Sequence, residues 1–362
     1  MAQSTAARAR GRASSGGGKR NPELDSTRAL ALIAAVVVLV APAGLPGWMT
    51  GPGLTLANLL PATFAAVSGA ALAFQAASRR GAAAGWWTGR ITRRVVVLVA
   101  AGLLLQLLVA LPSPASALDG LRLTGDLARI GVATGIGMLL VRLPVSTRVV
   151  LAVVLVVTHA LLVIGVDAPA ASGGALAGWD QRLLGGRALG PVDPDGVTAL
   201  APTLGLVLAG SCLGDWLRQR ARGIATVLLL LAATAGLATA ARWLAGPLPV
   251  LPTVWTPPVL LGGLALTTAG LAIGQAGTRR ALADRAVATL ATAGRVTLPL
   301  WGAAVVLDAW FLDTRPVRWL LREVLWPPLG ATGAAIALGL LVGAGLVRLG
   351  TTLADRDLPL RA

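Results

Sequence analysis

Two acid–arginine pairs at the edges of apolar runs are the first chemistry the chain offers. Asp25 and Arg28 stand three residues apart, and Asp126 and Arg129 repeat that interval in the run 123–131. On a helix, residues at this spacing share one side. Each pair can neutralise itself locally, or its arginine can hold a carboxylate, a phosphate or a helix end around a cofactor path. Charges at the lip of an apolar helix demand a partner of one kind or the other. His159, the single histidine, lies in the apolar run 153–165. Its imidazole titrates in the range a general base needs; a hydrogen bond across a helix–helix contact is the structural alternative. One His and one Cys, far apart in sequence, exclude a His/Cys metal cluster within one subunit, so no metal is expected. There is no Gly-x-Ser-x-Gly elbow and no P-loop. Cys212 sits inside an apolar run and has no second cysteine to pair with, which reads as a buried, inert thiol.

The elements that must position these groups are membrane helices. Hydrophobic residues make up 56% of the 362, charged residues 13%, and the mean hydropathy is +0.77, well short of the roughly 25% charge of a soluble domain. Long runs of Ala, Val, Leu and Gly, without the short alternating segments of an outer-membrane barrel, predict an all-α polytopic bundle. Ten spans are expected, at about 29–45, 54–77, 95–111, 123–141, 149–166, 198–217, 224–242, 257–275, 292–311 and 327–347. The first is read as a retained helix rather than a signal peptide, being too long and lacking a convincing cleavage site. Residues 1–23 form a basic tail and 349–362 a short second tail around a membrane domain of 24–348.

The net charge of +16 raises the question of a nucleic-acid partner. The basic residues are 30 Arg and Lys19, mostly placed between apolar runs, with no Tyr and three Phe for base stacking. That distribution excludes a nucleic-acid binder and reads as topology signal and attraction to anionic lipids at the cytoplasmic face. With ten spans, 22 basic residues fall on one side and seven on the other, placing both termini in the cytoplasm. The acidic residues lean outward. The longest connection, 167–197, is rich in Gly, Pro and Asp, and a loop of that length among tight connections points to function. Pro61, Gly69, Gly205 and Pro299 fall inside spans, where they break helices around a substrate or serve ordinary membrane packing.

Five short motifs carry a family resemblance. Leu24-Asp25-Ser26-Thr27-Arg28 precedes the first span, followed by Ala29 where the family has Gly. The second span opens Gly53-Leu54-Thr55-Leu56-Ala57-Asn58-Leu59-Leu60-Pro61 and continues through Phe64 to Gly69. Arg122, Gly125, Leu127, Arg129 and Ile130 keep a third pattern, with Ala128 for Gln; Asp193-Pro194-Asp195-Gly196 and Gly294-Arg295-Val296-Thr297-Leu298 complete the series. In this order, over residues 24–300, the chain resembles the bacterial relatives of heparan-alpha-glucosaminide N-acetyltransferase, a group of transmembrane acyltransferases. Three further positions depart from the pattern: Met49 stands for the first-loop His thought to take part in acyl transfer, Asn58 for an Asp, and Leu39 for an Asn. Met49 cannot abstract a proton and Asn58 cannot act as a carboxylate base.

The resemblance implies a cell-membrane enzyme that takes an acyl group from acyl-CoA (acetyl-CoA) at the cytoplasmic side and modifies a sugar or envelope glycan outside. Arg28, Arg93 and Arg94 become the phosphate-side residues, with Asp25 bracing Arg28. Arg129 and Asn58 line the cofactor path, and Asp193 and Asp195 border the acceptor site. With Met49 in the loop position, His159, Asp126 or Asp195 must supply the base. His159 is expected to face the bundle interior near Asp126, Arg129 and Asn58, around an outward-open cavity. A non-catalytic relative, acting as a carrier or an envelope-assembly protein, is the alternative; either kind is compatible with a homo-oligomer.

Overall fold

The computed structural model of the chain describes residues 21–40, 44–78, 84–111, 124–164, 178–185, 193, 196–277, 281–312 and 314–355. Every regular element among them is helical. In chain order they are α1 (Pro22–Val40), α2 (Gly47–Thr50), α3 (Leu56–Ser78), α4 (Ala84–Ala110), α5 (Asp126–Leu140), α6 (Val145–Ile164), α7 (Trp179–Leu184), α8 (Leu200–Arg218), α9 (Ile224–Leu244), α10 (Pro257–Gly277), α11 (Ala281–Gly294), α12 (Thr297–Leu307), α13 (Arg315–Trp319) and α14 (Trp326–Asp355). A short 3-10 turn, Pro252–Val254, precedes α10, and π-helical turns flank α13.

Among the described residues, seven helical segments are long and apolar enough to cross a membrane, and eight if the bent pair α11–α12 is one span. The protein is a multi-pass helical membrane bundle. Ten stretches expected as spans all fall on helices, yet three differ in kind. Helix α1 carries Glu23, Asp25 and Arg28 within its first two turns, so its charged collar is part of the helix rather than a lead-in. Helix α5 has only 15 residues, about 22 Å of rise against a hydrocarbon core of about 30 Å. The stretch 292–311 was expected as one straight span and instead bends by 79° between Gly294 and Thr297. Pro299 lies in the first turn of α12, where a missing N–H costs nothing, so it marks a helix start. Pro61, by contrast, is carried inside α3.

Small residues draw the helices together. Helix α3 meets α8 so closely that a Cβ on Gly69 would lie 2.0 Å from the Val207 carbonyl oxygen, and one on Gly210 would lie 2.0 Å from that of Ala66. With lipid outside and no hydrophobic drive between apolar helices, such backbone approach is a main source of packing energy. A core around Leu72, Met138, Leu206 and Leu208 joins α3, α5 and α8. A second core, with Leu32, Val36, Leu300 and Leu338, joins α1 to α12 and α14. Helix α1 also packs against α3 and α10, and so sits between the two groups. The opposite condition holds on α6, where Val149, Val150, Val153, Val154, Val157 and Leu161 are all exposed. Spaced on one helical face, they form a surface suited to lipid.

Candidate functional site

The N-terminal end of α1 is a buried polar knot. The Arg28 guanidinium donates to the Asp25 carboxylate at 3.3 Å, as the three-residue spacing predicts. Ser26 and Thr27 hydroxyls donate to the Glu23 carbonyl at 3.0 and 2.7 Å, and the Glu23 carboxylate meets Arg222 Nε at 2.6 Å. Beside this knot, Arg148 of α6 is 2% exposed and reaches Ser211 Oγ at 2.7 Å, the Leu143 carbonyl at 3.1 Å and the Asp215 carboxylate. Arg218 shares Asp215 at 3.1 Å. The acids at this end are therefore engaged by arginines of their own: Glu23 by Arg222, Asp25 by Arg28, and Asp215 by Arg148 and Arg218.

Arg93 and Arg94 stand apart from that pattern. Helix α4 begins at Ala84, eleven residues before the expected start of its span, so both arginines lie on the helix. Arg90, Arg93, Arg94, Val97, Ala101 and Leu104 recur at three- and four-residue steps and form one face. That face lines a cavity of about 610 Å³ whose opposite wall is Leu298, Pro299, Gly302, Ala303 and Val306 of α12, with Leu127 of α5 between. The bend at Gly294–Thr297 is what lays α12 against α4. Arg94 Nε is buried without a hydrogen-bond partner among the described residues. Arg94 also feels the like charges of Arg28 and Arg90. Like-charged guanidinium groups around an apolar slot have one ready complement, an anion. Arg28 borders this cluster electrostatically but does not line the cavity.

The other polar groups meet at the opposite end of the helices. Arg129 pairs with Asp126 and lays its guanidinium 4.2 Å from the centre of the Trp255 ring, a desolvated cation–π contact. Trp255 has φ 57°, a left-handed conformation that a bulky side chain adopts at a cost. His159 is 4% exposed and its Nε2 lies 2.7 Å from the Val254 carbonyl, so Nε2 carries the proton. The two expected partners, His159 and Asp126, are therefore joined through the neighbouring residues Val254 and Trp255 rather than bonded to each other. The structure gives His159 the carbonyl partner that a structural role requires. Asn58 donates to the Gly53 carbonyl at 2.9 Å and closes the loop before α3; Met49 is buried in the α1–α14 core.

Asp180 was missed by sequence reasoning. It is fully buried and accepts from Thr198 N at 3.1 Å, Thr198 Oγ1 at 2.7 Å and Asp193 N at 3.2 Å, tying α7 to the start of α8. Asp193 in turn accepts from Thr124 at 3.4 Å. Its neighbour Asp195 lies outside the described residues. Among the described residues no group of three His, Cys, Asp or Glu side chains could hold a metal ion. No protein-family model matches the chain, and no characterised protein matches it in sequence.

Proposed function

We propose that this protein is a membrane-embedded acyltransferase whose anionic acyl donor, an acyl-CoA such as acetyl-CoA, docks at the arginine-bearing end of α4. The observation that supports this reading is the pair Arg93 and Arg94 at the mouth of an interhelical cavity, with no carboxylate assigned to them among the described residues. Arg28, held by Asp25, adds positive potential behind them. The acceptor, a sugar or envelope glycan, meets the acyl group toward the Asp126–Arg129 end, where the Asp126–Arg129 ion pair lies against the Trp255 ring. His159, through its second ring nitrogen, is the base candidate of that end. Asp126 is tied to Arg129, and Asp195 belongs to the adjoining loop.

Turnover of acyl-CoA by protein purified into nanodiscs tests this. Release of free thiol in the presence of a hexosamine acceptor is expected. Arg94→Gln should lower kcat/KM about tenfold or more, the worth of one charge-assisted hydrogen bond. His159→Gln keeps a donor for the Val254 carbonyl but cannot accept a proton in its place. A general base there predicts a loss of about a hundredfold or more; unchanged turnover removes His159 from the mechanism.

A second reading, a carrier or envelope-assembly protein without catalysis, is favoured by one specific observation. Both residues that could replace the loop histidine at the described outer end are committed, His159 to a carbonyl and Asp126 to Arg129. Donor binding without turnover selects it.

The topology that both readings share is ten crossings in the cell membrane with both termini in the cytoplasm, counting α1, α5 and the bent α11–α12 pair as spans. The 22-to-7 distribution of basic residues supports it. In a Cys212→Ala background, Ser172→Cys is expected to react with impermeant thiol reagent from outside, while Ala283→Cys reacts only after permeabilisation. Equal labelling of both from outside overturns the orientation.

A further inference from the structure

An acyl-CoA held by its phosphates at the arginines leaves the apolar part of the α4–α12 cavity unfilled. A pantetheine arm carries amides, and an amide without a partner in an apolar slot is costly. Beyond the arginines every residue lining this cavity is apolar. Its direction is also unlike a channel through the bundle. Only 11% of the α4 span is buried inside the structure, and Val97 and Leu104 on the lining face are 43% and 56% exposed. The slot therefore opens on the flank of the bundle, where lipid tails lie. From Arg94 to Leu108 the helix rises about 21 Å, more than enough to span the roughly 15 Å depth of one leaflet's hydrocarbon.

We propose that this cavity is a specific site for an anionic phospholipid, one whose headgroup leaves the phosphate charge unneutralised, with the phosphate on Arg93 and Arg94 and one hydrocarbon chain lying between α4 and α12. The charge at one end and the uniformly apolar remainder match such a molecule part for part. It enters sideways from the leaflet on the arginine side, so no aqueous path is needed. The site goes beyond the acyl-transfer reading and does not depend on it. Where both ligands are present they exclude each other at the shared arginines.

The test is lipid binding to the full chain by native mass spectrometry, titrating phosphatidylglycerol and phosphatidylcholine of equal chain length in separate arms. Phosphatidylglycerol is expected to bind about tenfold tighter or more. Arg93→Gln with Arg94→Gln should abolish that preference. Gly302→Leu fills the apolar part instead. A Cβ there meets only Leu105, at 3.9 Å, and Gly302 faces the cavity, so phosphatidylglycerol affinity should fall at least tenfold with an unchanged melting midpoint. Equal binding of the two lipids by the unaltered protein overturns the proposal, whatever the donor assay gives. So does undiminished phosphatidylglycerol affinity in Gly302→Leu, which decides the matter alone if the double arginine variant does not fold.

Discussion

Arg148→Met is expected to destabilise the bundle by about 3–5 kcal/mol, the cost of breaking a buried ion pair by removing one partner. The side chain is 2% exposed and serves three acceptors on one helix and a turn: Ser211 and Asp215 of α8 and the Leu143 carbonyl. Methionine fills the volume but leaves Asp215, itself mostly buried, with Arg218 alone. The apparent melting midpoint in detergent should fall by roughly 10 °C. Lysine cannot reproduce the forked geometry, so Arg148→Lys should recover little. The decisive comparison is Arg148→Met with Asp215→Leu. Replacing both charges by apolar groups removes the uncompensated charge, so the double variant should be more stable than the single one. A double variant less stable than Arg148→Met would show that Arg148 acts through Ser211 and the turn instead.

The same residues show how far sequence reasoning reaches. The Asp215–Arg218 and Asp25–Arg28 contacts are three-residue pairs on one helix, so spacing alone exposes them. Arg148 and Asp215 are 67 positions apart, and nothing local to either announces the other. Helix positions were legible because long apolar runs have no stable alternative in a bilayer. The exceptions arose where packing overrode the local pattern. Residues 84–94 read as a basic connection because hydropathy gives out there, yet the helix continues and sets Arg90, Arg93 and Arg94 on one face. The bend before α12 was hidden in a stretch whose average hydropathy reads as one span, although Gly294, Arg295 and Pro299 were visible signals that one helix ended and another began there.

The candidate site was legible in its parts and not in its assembly. Arg93 and Arg94 were identifiable as cations at a membrane edge, but the wall facing them is supplied by α12, some two hundred residues later. His159 was identifiable as the single imidazole. Its partner is a main-chain carbonyl at residue 254, and every residue type supplies the same carbonyl, so side-chain chemistry could not reveal it. Asp180 was lost for a related reason: its partners are a threonine and a backbone N–H across a long loop.

Gly294→Ala carries the other large expected effect, and it bears on the arginine end directly. Gly294 closes α11 against the first turns of α1, where a Cβ would lie 1.8 Å from the Asp25 carbonyl oxygen and 2.6 Å from its carbon. Both are backbone atoms, so no side-chain rotation relieves the overlap; one helix must move by an ångström or more. Overpacking of this kind costs about 1–3 kcal/mol, and more where the neighbour is rigid. Because α1 sits between the two groups of helices, the displacement also shifts Asp25 and Arg28 from beneath the cation cluster. Gly345→Ala makes the same chemical change on the exposed side of α14, where nothing lies within 4 Å of the new methyl. There alanine's better helix propensity, worth about 1 kcal/mol, should leave the melting midpoint unchanged or raised. Opposite signs for two identical substitutions isolate packing from propensity, and a Gly294→Ala protein as stable as Gly345→Ala would mean that α11 does not press on α1 at Asp25.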